Sequence, residues 1–155
     1  MAKIEYINFD KSGINRIREL WEGLNKHHFE RSVNFKERYA KMTFEKRKEL
    51  LFNKLGNGNM FIELALDSVS EKPVGYCLSI ITKSGDMEGE IESLFIIPSY
   101  RKKGIGEAFI QHALEWLDSN KVSSKRIIVA AGNEEIFPFY EKFGFFPKFI
   151  TLEKK

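Results

Sequence analysis

One segment, Glu90 to Asp118, leaves few folds open to this chain: EIESLFIIPSYRKKGIGEAFIQHALEWLD. An apolar run from Ile91 to Ile97 stops at Pro98, and Arg101-Lys102-Lys103-Gly104-Ile105-Gly106 follows. Ala108, Phe109, Ala113, Leu114 and Leu117 then recur at helical spacing. A strand, a glycine-bearing turn and a helix in that order make an anion cradle. Glycine lets backbone approach a ligand closely, and the first turn of a helix offers unpaired N–H groups with roughly half a positive charge. Arg101, Lys102 and Lys103 add full charges beside it, so the segment predicts a phosphate or pyrophosphate site.

Two familiar cradles do not fit. A dinucleotide-binding turn needs a third glycine where this chain has Phe109, and needs its glycines directly after the strand. A P-loop needs G-x-x-x-x-G-K-[ST], which the chain lacks. What remains is R-x-x-G-x-G, carried by Arg101, Gly104 and Gly106. Downstream stands a second anchor, Asn133-Glu134-Glu135-Ile136-Phe137-Pro138-Phe139-Tyr140-Glu141-Lys142-Phe143-Gly144-Phe145. With it the chain resembles the GNAT superfamily of acetyl-CoA-dependent N-acetyltransferases, whose pattern there is N-x-x-A-x-x-F-Y-x-K-x-G-F. Ile136 departs from that pattern, standing where a small residue is usual. The two motifs cover about the C-terminal half of the chain.

The resemblance implies a fold and a cosubstrate. The fold is α/β, a mixed α+β acyl-CoA N-acyltransferase domain in which the strands matching 90–97 and 125–131 run parallel but splay apart. Acetyl-CoA enters the gap, its pantetheine arm pairing with the backbone of Leu94, Phe95 and Ile96. Its diphosphate rests on the N–H groups of Lys102, Lys103, Gly104, Ile105, Gly106 and Glu107, beside Arg101. Asn133 falls where a cofactor-contacting residue is frequent, and it would equally serve as a helix N-cap.

Read in order, residues 3–9 form a first strand, and Asp10 and Ser12 are helix-start signals for a face of Ile14, Ile17, Leu20, Trp21 and Leu24. Asn34 is a candidate cap for a further helical stretch that breaks near Thr43 and ends at Gly56-Asn57-Gly58-Asn59. Residues 60–67 and 74–83 read as an antiparallel hairpin, 90–97 and 125–131 as strands about a helix 104–119, 134–143 as a helix, and 145–152 as a last strand. The expected architecture is a six- to seven-stranded mixed sheet with about four helices, in one domain spanning 1–155.

Composition bounds the rest. The chain has 155 residues, 43% of them hydrophobic and fourteen of them Phe, enough for one aromatic-rich core. Its 25 Lys and Arg stand against 22 Asp and Glu, so charge gives no reason to expect a nucleic-acid partner. The single cysteine, Cys77, allows no intrachain disulfide, which fits a cytoplasmic location. It reads as a small core residue in mid-strand. No apolar stretch suits a signal peptide or a membrane helix. His27 and His28 lack the further ligands that zinc requires, and no metal is expected.

Acetyl transfer needs a neutral amine, and neutralising a free alkyl amine at pH 7 costs about 4–5 kcal/mol. A carboxylate can take the proton. Glu92, just before the cofactor-binding part of its strand, is the candidate base, with Glu90 the runner-up on the same side; a solvated strand-end glutamate is the other reading. The resemblance makes Tyr140 the candidate acid or hydrogen-bond donor to the departing sulfur, where the residues alone read it as a packed aromatic. Lys142 and Phe145 read as structural. Asp86, Glu88, Glu90 and Glu92 form an acidic comb that suits a polyamine, aminoglycoside or other small-molecule amine, while the basic, aromatic stretch 25–55 suits an acidic or peptide acceptor. Alternatives to a small-molecule N-acetyltransferase are a protein or peptide N-acetyltransferase and a non-catalytic acyl-CoA-binding module. A homodimer is the assembly that the resemblance leaves open.

Overall fold

The computed structural model describes residues 3–155. Strand β1 (Ile4–Phe9) leads through a 3-10 turn (Lys11–Ile17) into α1 (Arg18–Arg31). Two shorter helices, α2 (Lys36–Lys41) and α3 (Phe44–Leu55), precede the meander β2 (Asn59–Asp67), β3 (Pro73–Thr82) and β4 (Glu88–Ile96). A 3-10 turn (Pro98–Tyr100), α4 (Ile105–Ser119), β5 (Ser124–Ile127), another 3-10 turn (Glu134–Ile136) and α5 (Phe137–Glu141) complete the order.

The sheet runs β1-β2-β3-β4-β5, antiparallel through β4 and parallel between β4 and β5, with α4 as the crossover. Each face is covered. Ile17, Leu20, Trp21, Phe44, Leu51 and Leu55 pack on Ile62, Leu64, Tyr76, Leu78 and Ile80. On the other face Ile105, Phe109, Ile110, Ala113 and Leu117 of α4 pack on Ala65, Cys77, Ile81 and Ile91. Each such fully buried large apolar side chain stabilises the fold by about 1.5–3 kcal/mol. The break near Thr43 is a cap: its hydroxyl accepts from Lys46 N at 3.2 Å and starts α3. Asn34 does not cap α2; Ser32 Oγ accepts from Phe35 N at 3.2 Å instead.

One irregularity shapes the functional region. In the β3–β4 register Leu78 faces Ser93 but Ser79 faces Ile91, so Glu92 is the extra residue of a bulge. Without it Ser93 and Phe95 would share the α4 face with Ile91. With it they turn to the α1–α3 face, where Tyr76 Oη donates to Ser93 Oγ at 2.9 Å and Phe95 joins the first core cluster. Pairing of β4 with β5 stops one residue before the bulge, at Ile91 opposite Ile127.

The expected strand 125–131 therefore ends at Ile127. Among the described residues the sheet has five strands, where six or seven were expected, and five α-helices flank it. The missing strand is 145–152. Its apolar residues alternate, but Phe149, Ile150 and Leu152 are more than 80% exposed and no neighbouring strand meets them. Pro147 withholds one N–H from any ladder there. The expected helix 134–143 is a 3-10 turn followed by the five residues of α5, with Pro138 in the first turn, where its missing N–H costs nothing.

Candidate active site

The turn between β4 and α4 is bent by two left-handed residues, Lys102 (φ 61°) and Gly104 (φ 84°). Glycine suits the second, where a Cβ would meet nothing but also gain no contact; at Lys102 the backbone carries strain of about 1–3 kcal/mol, as turns that grip ligands often do. Such a turn ahead of a helix presents successive backbone N–H groups to an anion. Ile105 is buried and anchors the helix start. Gly106 sits so close to Phe139 and Ile96 that a Cβ would lie 3.3 Å from one ring and 3.4 Å from the other side chain. Glu107 lies in the first helical turn. Arg101 folds back: its Nε donates to Ile96 O at 2.8 Å and its guanidinium lies 5.4 Å from the centre of the Phe95 ring. The Ile96 carbonyl is thus engaged within the chain. Asp67, at the end of β2, braces the turn from behind by accepting from the Tyr100 hydroxyl and from Val69 N at 2.8 Å.

Where β4 and the chain after β5 part, a cavity of ≈ 60 Å³ opens. Ile91, Glu92, Ser93 and Leu94 form one wall, Ile127 with residues 128–130 the opposite one, and Asn133 and Tyr140 close one end. Leu24 and His28 of α1 cover it. Of the sequence candidates, Glu92, Leu94, Asn133 and Tyr140 thus meet at one place. The ring of Phe95 faces away from the cavity, buried against Gly23, where a Cβ would come within 2.8 Å; this leaves the role expected of its backbone untouched. Asn133 precedes the 3-10 turn without capping it; its Oδ1 lies 3.3 Å from His27 Nε2.

Burial raises the Tyr140 hydroxyl well above its usual range, with a smaller contribution from Cys77. No hydrogen bond is among the causes of that shift, which leaves the hydroxyl unpartnered among the described residues. Glu92 is in a different state from a poised base. Its side chain is 5% exposed and is held by Arg47 and, at 3.1 Å, by Lys54, both from α3. Glu90 is equally enclosed, at 2.7 Å from both Lys54 and Arg126. Two teeth of the acidic comb are therefore neutralised inside the protein, and neither is a solvated strand-end glutamate.

His28 is the residue that sequence reasoning passed over. Its Nδ1 is shut off from solvent and has no hydrogen-bond partner among the described residues. Its ring lies 5.5 Å from that of Tyr39. Burial first, then His27 and Arg47, push its pKa down to about 4. The folded state thus favours the neutral ring. That contribution to stability is complete above the unfolded value of 6.5 and is lost as pH falls towards about 4. Its ceiling is about 3 kcal/mol, and solvent screening of a half-buried ring reduces it to about 1–2 kcal/mol. Urea unfolding at pH 7 and at pH 4.5 should show His28→Gln losing about 1–2 kcal/mol less than the parent chain over that interval; equal losses would contradict this.

Comparison with known proteins meets this geometry from outside. A family model described as the acetyltransferase (GNAT) family matches residues 17–145. A glucosamine 6-phosphate N-acetyltransferase from Trypanosoma brucei brucei is 38% identical over 64 residues, a match that spans 41% of this chain and only 42% of that relative. A GCN5-related N-acetyltransferase from Ralstonia eutropha has the same fold, with TM-score 0.75, 16% identity and 99% of each chain covered. So has an aminoglycoside N-acetyltransferase in complex with CoA, with TM-score 0.64, 15% identity, and 100% of this chain and 96% of that one covered. Among the described residues no cluster of His, Cys, Asp or Glu suits a metal ion, and no helix is long and apolar enough to cross a membrane.

Proposed function

The chain belongs to the acetyltransferase (GNAT) family, and we propose that it transfers an acetyl group from acetyl-CoA to the primary amine of a small molecule, with residues 1–155 as its one domain. The observation that carries this reading is the parting of β4 from β5 beside the glycine turn, with the unpartnered Tyr140 hydroxyl at the resulting cavity. The CoA bound to one structural neighbour supports acetyl-CoA as cosubstrate.

Each element has a role in that reaction. N–H groups of residues 102–107 hold the diphosphate, and the free edge of β4 about Leu94 receives the pantetheine arm. The amine nitrogen attacks the carbonyl carbon, and collapse of the adduct expels the thiol. Tyr140, its pKa raised by burial, donates a hydrogen bond to the departing sulfur; it does not surrender its proton, since a thiol of pKa near 8.5 is the stronger acid.

The acceptor reading shifts with the burial of Glu90 and Glu92. Carboxylates already matched by Arg47, Lys54 and Arg126 draw a polycation weakly, which disfavours polyamines. An amino sugar fits better, and the two named relatives act on such compounds: glucosamine 6-phosphate in one case, aminoglycosides in the other. A peptide acceptor is the second reading, favoured by the exposed Phe29 and Phe52 among the Lys and Arg of α1 to α3. The single cysteine supports a cytoplasmic location. Titration calorimetry should show acetyl-CoA binding, and thiol release should follow addition of an amino sugar from a panel that includes phosphorylated amino sugars, aminoglycosides, polyamines and peptides. Absence of acetyl-CoA binding would overturn the reading; binding without turnover on any amine would make the chain an acyl-CoA-binding module.

A further inference from the structure

We infer that His28 is the proton acceptor of this site, taking the proton that the attacking amine gives up, while the Glu92 carboxylate serves to hold α3 against β4. The inference rests on the transferase reading above and assigns a role which that reading leaves open.

Three observations carry it. First, His28 of α1 lines the same cavity as Glu92, Leu94 and Tyr140, so its ring stands within the site where the amine and thioester would meet. Second, among the described residues Nδ1 of the ring is buried without a hydrogen-bond partner, so no neighbour fixes the ring's tautomer. A buried polar atom without a partner costs about 1–3 kcal/mol, and such atoms in folded proteins call for an explanation. Its neighbour His27, by contrast, is tied to Asn133. Third, the carboxylates that sequence reasoning favoured are committed elsewhere. Glu92 faces Arg47 and Lys54, and protonating it would leave Arg47 without its counter-charge. The groups around His28 act in one direction: burial, His27 and Arg47 all keep the ring uncharged, so at pH 7 it carries a free lone pair in nearly every molecule.

The step balances without a co-reactant. The amine lone pair forms the C–N bond to the thioester carbon, and the nitrogen, now cationic, releases one proton to the accessible ring nitrogen of His28. Bonding to the carbonyl carbon makes that proton far more acidic than in the free ammonium ion, which suits a weak base. Collapse breaks the C–S bond, and the electron pair leaves on sulfur beside the Tyr140 hydroxyl. The proton on His28 passes through water to the thiolate, so one proton leaves nitrogen and one arrives on sulfur.

The test compares His28→Ala, His28→Gln and Glu92→Gln with the parent chain in thiol release from acetyl-CoA, with and without amines; the amine-free hydrolysis needs no knowledge of the acceptor. Both His28 variants should lose about 10²-fold or more in kcat with calorimetric affinity for acetyl-CoA unchanged. Added imidazole should restore His28→Ala, whose cavity admits it, and should leave His28→Gln unrestored. A packing role would give neither that rescue nor that difference. Should His28→Ala fail to fold, a fall in kcat of His28→Gln at unchanged acetyl-CoA affinity still supports the inference. Retention of kcat within about threefold in His28→Gln, or a Glu92→Gln loss as large at temperatures where that variant is folded, would overturn it. A parent chain that neither acetylates nor hydrolyses would instead overturn the transferase reading.

Discussion

Tyr140→Phe lowers kcat for acetyl transfer by about 10²-fold and leaves acetyl-CoA affinity and thermal stability unchanged. The ring itself is packed in the α4-side cluster and is retained in the variant, so no cavity forms. No hydrogen bond perturbs the hydroxyl among the described residues, so its removal breaks no internal bond and leaves no donor or acceptor stranded. What disappears is one donor at the cavity, and removing one such donor to a developing anion costs about 2.7–4 kcal/mol, or 10²–10³ in rate. The hydroxyl stays protonated across the working range because burial raises its pKa. The rate should therefore show no alkaline limb due to Tyr140 below about pH 10. Steady-state kinetics with a thiol reagent, alongside a melting curve, checks all three parts. A variant that melts much earlier or binds acetyl-CoA weakly would mean that the residue acts through packing.

Much of this site was legible in the sequence because its parts are local. A strand, a turn with Lys102 and Gly104 in left-handed conformations and a helix are set by consecutive residues, and the residues themselves announced them. The bulge at Glu92 was not legible, since it depends on the register between β3 and β4, and no local pattern fixes that. Yet the bulge decides which side chains reach the cavity, and it turned Phe95 away from it. Residues 145–152 failed for a related reason: alternation marks a segment able to pair, but whether it meets an edge is decided by the placement of the rest of the chain.

His28 and Arg47 carried a signal that went unread. Leu20, Leu24 and His28 recur every four residues, so His28 lies on the inward stripe of α1. On α3, Arg47, Leu51 and Lys54 share the stripe of Phe44 and Leu55. A charged or titratable residue on an apolar stripe must meet a partner or a ligand across the interface. Arg47 and Lys54 meet Glu92 and Glu90; His28 meets the Tyr39 ring and the cavity.

That pairing makes Glu92→Gln a stability variant before it is a catalytic one. Breaking a buried pair by removing one partner leaves the other charge uncompensated, at a cost of about 3–5 kcal/mol. Lys54 keeps Glu90 at 2.7 Å, so the stranded charge is Arg47 alone, and its one-third exposure lowers the cost to about 2–3 kcal/mol. For a domain of this size that corresponds to a fall of about 4–12 °C in Tm. Arg47→Met in the Glu92→Gln background removes the stranded charge and should recover more than half of the loss, as a double-mutant cycle would show. Activity should follow the same pattern: lost near the lowered Tm, retained well below it, and regained in the double variant. If Glu92→Gln melts with the parent chain yet has no activity at low temperature, the carboxylate acts on the substrate and its ion pairs only orient it.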